Sequence, residues 1–260
     1  MARLHTMKAA PLLRFAVLLT GAASCRPSPG SASRERAVTP VASSAPVALA
    51  TPSARVAVAS PLQAVPSSAI CVANGHRFDS APADRRLHID QGGLRAFIAG
   101  DHSAAAEIAF TYRGPSRVDA PLANGELRRQ IGLKLRAQDT CNVVYVMWHV
   151  EPATGVAVSV KRNESADTHR ECGAAGYINV QPEASKRAPV VLRDVAHVLR
   201  AELTGQELRV TADDVVVWRG RLPAAAFAFD GPAGIRSDNG AFDLELRVPG
   251  GADPAARCGQ

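Results

Sequence analysis

From Cys71 onward apolar side chains recur at every second position in one segment after another, and that period of two commits the C-terminal part of the chain to β-structure. In residues 241–248, Phe242, Leu244 and Leu246 fall on one parity and Asp243, Glu245 and Arg247 on the other, which describes a strand with one face in a core and one in water. Leu127, Arg129, Ile131, Leu133, Leu135 and Ala137 alternate in the same way with Arg128, Gln130, Lys134 and Arg136. Residues 142–150 are apolar on both parities, so a central strand covered on each face is expected there. Residues 155–162 pair back after a turn at 152–155. Residues 197–203 and 207–212 flank a Thr204-Gly205-Gln206 turn, and Asp213-Asp214 leads into residues 215–222, giving a three-strand meander. About ten to twelve short strands of this kind predict an all-β fold, a two-sheet antiparallel β-sandwich in an Ig-like or jelly-roll arrangement, and the size favours the larger jelly roll.

The first 70 residues have another character. Lys8 and Arg14 precede an apolar run over residues 15–24 that ends at Cys25. About ten apolar residues are too few for a spanning helix, which needs roughly 20, and they suit the hydrophobic part of a cleavable export signal. Ala22, Ala23 and Ser24 directly before Cys25 resemble the lipobox of bacterial lipoproteins, with Ala22 standing where Leu is usual. The resemblance implies that residues 1–25 are a signal segment, that Cys25 is acylated, and that the exported protein is held at a lipid bilayer in the cell envelope. Arg26 occupies the position at which enterobacterial sorting reads Asp as inner-membrane retention, which implies the outer membrane, on its periplasmic face or at the cell surface. Residues 26–69 are almost wholly Pro, Ser, Ala, Val and Thr, with no aromatic side chain, so they are expected to be a disordered tether. At about 3.1 Å per residue, such a segment reaches up to on the order of 100 Å. Residues 70–260 then form the single folded domain.

Charge follows the same division. Residues 1–70 hold seven basic side chains and one acid, which accounts for the whole net charge of +6, and the other 190 residues hold 23 of each sign. A protein that tracks phosphates needs a surplus of cations on its folded part, so nucleic acid is not an expected partner.

Residues 198–223, followed by 231–248, resemble the C-terminal half of concanavalin A-like, laminin G-like domains: a hairpin, an Asp-led strand carrying Trp218 and Gly220, then Gly-Ile-Arg-Ser-Asp and a closing amphipathic strand. The resemblance covers about 50 residues and implies a binding domain with carbohydrate or glycan as the ligand class, the alternatives being a glycan hydrolase or lyase on the same fold and a structural module that binds another cell-envelope component.

Five cysteines leave one odd. With Cys25 acylated, Cys71, Cys141, Cys172 and Cys258 make two disulfides, for which three pairings exist. The expected pairing is Cys141 with Cys172 and Cys71 with Cys258, the second tying together the two ends of the domain. Such bonds require an oxidising compartment. Short paired Cys or His spacings for zinc do not occur.

No catalytic motif stands out, and a non-catalytic role is expected. The acid pair of a glycosidase needs two carboxyl groups on one face about 5 to 5.5 Å apart in retaining enzymes. The nearest candidate, Asp243 with Glu245, continues into Arg247 as a solvated strand face. His169-Arg-Glu171-Cys172 lacks the second cysteine motif of a zinc deaminase and is expected to be a loop beside a disulfide. The sequon Asn163-Glu-Ser165 is expected to be inert after bacterial export. A binding surface is expected on the face of the central strand opposite Val144, Val146, Trp148 and Val150, where Tyr145 and His149 lie beside Arg128, Gln130, Lys134 and Arg136. Trp218 is expected in the core. Arg236, Asp238 and Asn239 are expected in a loop where some laminin G-like domains bind calcium, but the other ligands are missing and no cofactor is expected.

Overall fold

The computed structural model describes residues 60–258 except 79 and 254. Residues 1–59, on which the expected signal segment, Cys25 and most of the expected tether fall, lie outside the described residues. Fifteen strands form among the described residues. The first sheet contains β1 (Leu62–Ala64), β3 (Arg86–Asp90), β5 (Ala105–Pro115), β10 (Ala184–Ser185), β11 (Ala196–Thr204), β12 (Glu207–Ala212), β13 (Val215–Arg221) and β15 (Gly240–Pro249). The second contains β2 (Ile70–Asn74), β4 (Gly93–Ile98), β6 (Arg129–Leu135), β7 (Val143–Glu151), β8 (Gly155–Lys161), β9 (Tyr177–Val180) and β14 (Gly234–Asp238).

The strand order is β1-β15-β5-β11-β12-β13-β10 in the first sheet, with β3 also paired to β15, and β2-β4-β14-β6-β7-β8-β9 in the second. Neighbouring strands run antiparallel. The two sheets face each other as a β-sandwich of jelly-roll type, as the alternation predicts. One shared core fills the space between them: Ile108, Phe110, Leu199, Val210 and Leu244 from the first sheet meet Leu94, Leu133, Val146 and Trp148 from the second. The Phe110 ring stands edge-on to Trp148 with centroids 5.6 Å apart. Trp218 is buried in the same core.

Both parities of β7 are covered. Val144, Val146, Trp148 and Val150 belong to the core, whereas Val143, Tyr145 and Met147 pack with Ala137 on the opposite face. On β15, Phe242, Leu244 and Leu246 point into the core. Asp243 pairs with Arg113 at 2.7 Å and with His88 at 2.7 Å, and Glu245 with Arg247 at 2.6 Å, so the polar parity is a web of surface ion pairs.

Three expectations need correction. The folded domain starts earlier than residue 70, because Leu62–Ala64 pairs with the end of β15 and Val65 is fully buried, its N–H donating to the Leu246 carbonyl at 2.9 Å. The strands exceed twelve because edge strands as short as two residues complete both sheets. His169–Cys172 is one turn of helix, α1, opened by a capping box between Thr168 and Glu171, rather than a loop. The cysteines bond as Cys71–Cys258 and Cys141–Cys172, the expected one of three arrangements.

Candidate functional site

The outer face of the second sheet is ordered by register. Reading across the strands, Gly93, Asp238, Gln130, His149 and Gly155 form one row. Arg95, Arg236, Gly132, Met147 and Ala157 form the next, and Phe97, Gly234, Lys134, Tyr145 and Ser159 the third. Gly132 at the middle of the second row and Gly234 beside Phe97 in the third leave the floor low at those positions. A Cβ at Gly132 would lie 2.2 Å from the Val146 carbonyl oxygen and 2.7 Å from Met147 Sδ, so no side chain fits there. A groove of about 750 Å³ crosses this face, lined among others by Arg95, Arg128, Gln130, Tyr145, His149 and Lys161, with Tyr177, Arg236 and Asp238.

Asp238 is the hub. It is almost fully buried, and its carboxylate accepts from Arg95 Nη2 at 2.7 Å, Arg236 Nε at 2.8 Å and Gln130 Nε2 at 2.6 Å. Burial alone would raise its pKa, yet the guanidiniums of Arg95 and Arg236 and the Gln130 amide hold the carboxyl below the usual carboxylate range. It therefore stays ionised and has no proton to give. Arg236 extends across the gap left by Gly132, lies 4.8 Å above the Tyr145 ring, and donates to the Tyr177 hydroxyl at 3.3 Å. Tyr145 and Tyr177 stack with centroids 6.1 Å apart, Tyr145 buried and Tyr177 exposed. The pair forms an aromatic wall with its outer ring in solvent.

The two ends of the groove differ. At one, Arg128 is held by Glu126 at 3.0 Å and reaches His149 Nε2 at 3.4 Å. Burial, reinforced by the Arg128 charge, pushes the imidazole down to about 4, so it is neutral at pH 7. Because a guanidinium can only donate, Nε2 is the acceptor and the ring proton resides on Nδ1. At the other end Lys161 donates to the Gly173 carbonyl at 2.8 Å and the Thr140 carbonyl at 3.3 Å, beneath the Tyr177 ring at 5.4 Å. The Cys141–Cys172 bond and α1 fix the backbone that supplies those carbonyls. Burial, then Arg236 and Arg95, push the ammonium down to about 8.

Of the six residues expected at the site, Tyr145, His149, Arg128 and Gln130 line this groove. Lys134 does not. Its side chain runs into an adjoining pocket of about 480 Å³, lined also by Ala73, Phe97, Ala137, Asp139 and Pro232, which shares Asn74, Thr140 and His169 with the groove. Arg136 leaves the face altogether: its backbone turns to a φ of 52° where β6 ends, and its guanidinium donates to the Ala226 and Phe229 carbonyls at 3.0 and 2.6 Å. The loop expected at Arg236, Asp238 and Asn239 also needs correction. Arg236 and Asp238 sit on β14 rather than in a loop, and two guanidiniums beside Asp238 repel a cation. Asn239 is spent on loop closure, its amide bonded to both the N–H and the carbonyl of Ala120. Among the described residues, no group of three or more His, Cys, Asp or Glu is placed to hold a metal.

Arg95, Lys161, Tyr177, Arg236 and Asp238 were not expected here. The signal for two of them was present: Arg236 and Asp238 share a parity with Ile235 and Ser237 on the other, the pattern of a strand.

No protein family and no curated protein matches the sequence. Among solved structures, the chain is similar to the carbohydrate-binding module CBM66 from Bacillus subtilis, at 13% identity and a TM-score of 0.46 over 68% of this chain and 92% of that one. It is similar to the Emp46p carbohydrate recognition domain at 13% identity and a TM-score of 0.44, over 72% and 90% of the two chains. A galectin, LEC-6 of Caenorhabditis elegans, aligns at 6% identity with a TM-score of 0.35, over 63% and 94%.

Proposed function

We propose that this protein is an exported, non-catalytic glycan-binding module, anchored to the outer membrane through acylated Cys25 and presented by the proline-rich segment that follows. The observation that carries the reading is the groove on the second sheet: a long concave surface with a tyrosine wall on one side and a dense set of hydrogen-bonding side chains on its floor. Sugars offer both complements, a C–H face for a ring and hydroxyls for fixed polar groups. The resemblance of residues 198–248 to laminin G-like domains supports a binding role. So does the fate of the acid: Asp238, the one carboxylate among the groove-lining residues, is locked ionised between two arginines, whereas glycosidic hydrolysis needs a second carboxyl group able to donate a proton.

A glycan array probed with the purified chain tests the reading. Saturable binding to a set of related glycans is expected, with no release of reducing or unsaturated ends on prolonged incubation. Tyr177→Ala removes the solvent-facing ring of the wall, which is 41% exposed, and is expected to weaken binding about tenfold, in line with aromatic contacts of about 0.5–1.5 kcal/mol, without shifting the melting temperature by more than a few degrees. Silence across the array would overturn the glycan reading, and turnover of a bound glycan would overturn its non-catalytic part.

A further inference from the structure

Resting on the glycan reading, we infer that the ligand is an acidic glycan, carrying carboxylate or sulfate groups, and that Lys134 receives one of those groups in the pocket beside the groove. Three observations converge on it. The first is a local charge surplus: Arg95, Arg128, Lys161 and Arg236 line the groove against one carboxylate, Asp238, although residues 71–260 as a whole hold equal numbers of acids and bases. Even with Glu126 counted against Arg128, the surface remains cationic.

The second is Lys134 itself. The side chain is 1% exposed, and among the described residues its ammonium has neither a hydrogen-bond acceptor nor a carboxylate partner; the Phe97 ring, 5.9 Å away, is what it meets. A buried ammonium left this way is costly, and an anion entering the pocket supplies the missing partner. The charged and titratable groups around it do not: Arg95 from β4 and Arg236 from β14 repel it, Tyr145 from β7 is neutral, and Asp139 acts only at a distance. Asp139 spends its oxygens on the N–H groups of Cys141 and Asn142 and on the Asn142 amide. Asp167 and His169 complete the pocket wall without reaching it.

The third is Gln130. It is 2% exposed, its amide nitrogen is committed to Asp238, and its carbonyl oxygen has no donor. An anion cannot satisfy that oxygen, but a hydroxyl can. A ligand that brings both hydroxyls and anionic groups to one surface is an acidic sugar.

The inference has a thermodynamic signature. Burial first, then Arg95 and Arg236, push Lys134 down to about 7 in the empty protein, so a bound anion restores a proton to it. Titration calorimetry of the full mature chain with a polyuronate oligosaccharide, its carboxyl-reduced counterpart and a sulfated glycan, each in two buffers of different ionisation enthalpy, reads both affinity and proton transfer. Expected are binding of an acidic glycan at least tenfold tighter than its neutral counterpart and net proton uptake at pH 7.5 that fades by pH 5.5. Lys134→Met is expected to lose at least tenfold in affinity and most of the uptake. It should also melt above the wild type, because an unpartnered buried charge is gone, which shows that the variant is folded. Whether the polyuronate or the sulfated arm binds identifies the source of the anion. Equal binding of the carboxyl-reduced glycan, or acidic binding that Lys134→Met leaves unchanged, would overturn the inference while leaving the glycan function standing; silence in every arm would remove the function itself.

Discussion

Asp238 pairs with two arginines through one buried carboxylate, leaving the cluster with a single net positive charge on the groove floor. Asp238→Asn keeps the shape and removes the charge, leaving Arg95 and Arg236 facing each other with no counter-ion. A cost of about 3–5 kcal/mol in urea denaturation is expected, the scale for breaking a buried pair from one side. Because this carboxyl is held below its unfolded value of 3.8, its contribution is complete above about pH 4 and is lost as the pH falls through the folded value. Lys134 works in the other direction. Its folded pKa of about 7 lies below the unfolded 10.5, so between those values the unfolded chain binds the extra proton and stability rises with pH. Lys161, at about 8, adds to the same slope. Tyr112 and Tyr145, both pushed up to about 12 from 10.0, reverse it once the unfolded tyrosines ionise above about pH 10. The urea midpoint should therefore climb from pH 7 to pH 9.5, with a shallower climb in Lys134→Met; a flat or falling wild-type curve would show that Lys134 is charged in the folded protein throughout.

Strands were legible where alternation had contrast. In β15 every second residue is large and apolar against a charged partner, and the turn residues between β11, β12 and β13 mark their ends. In β5 the alternation is equally regular, Ala106, Ile108, Phe110 and Tyr112 being buried, but the intervening Ala105 and Ala109 blur it. Edge strands such as β9 and β10 are too short and too exposed to carry a pattern. The groove was legible only in part for a different reason. Alternation tells which face of β6 and β7 a residue occupies, so Gln130, Tyr145 and His149 could be grouped, but it does not tell which distant segment pairs beside them. Arg236 and Asp238 arrive because β14 inserts between β4 and β6, a pairing across about a hundred residues. Arg136 leaves the face because its positive φ ends the strand at Leu135, two residues before the alternation in the sequence stops at Ala137. The Cys141–Cys172 bond acts at this scale too. It closes 31 residues, and in the chain-entropy model such a loop is worth about 3–4 kcal/mol. It also holds Thr140 and Gly173, whose carbonyls receive Lys161. Replacing both cysteines by serine is expected to lower stability by about that amount and to weaken glycan binding, whereas a purely structural bond would leave the affinity of the folded fraction unchanged.

Across the whole chain, charge is distributed in two blocks, the surplus falling in residues 1–70 and the rest summing to zero. Residues 71–260 are neutral in sum, so no net charge draws the domain as a whole toward an anionic membrane. The membrane attachment proposed above would then have to come from elsewhere. No helix among the described residues is long and apolar enough to cross a bilayer, and the seven basic side chains of residues 1–70 are scattered among prolines and serines rather than gathered into a polybasic cluster. On the proposed reading, acyl chains on Cys25 would supply the attachment, at about 0.8 kcal/mol per buried methylene, with more than one chain needed to make it lasting. Cys25→Ser should move the protein from the membrane pellet to the soluble fraction of a bacterial host and abolish incorporation of labelled palmitate. Glycan affinity should stay the same, because both disulfides form without that residue. A Cys25→Ser protein that still sediments with membranes would place the anchor in another part of the chain, and a wild-type protein that takes up no palmitate would make Cys25 an ordinary thiol behind an ordinary signal.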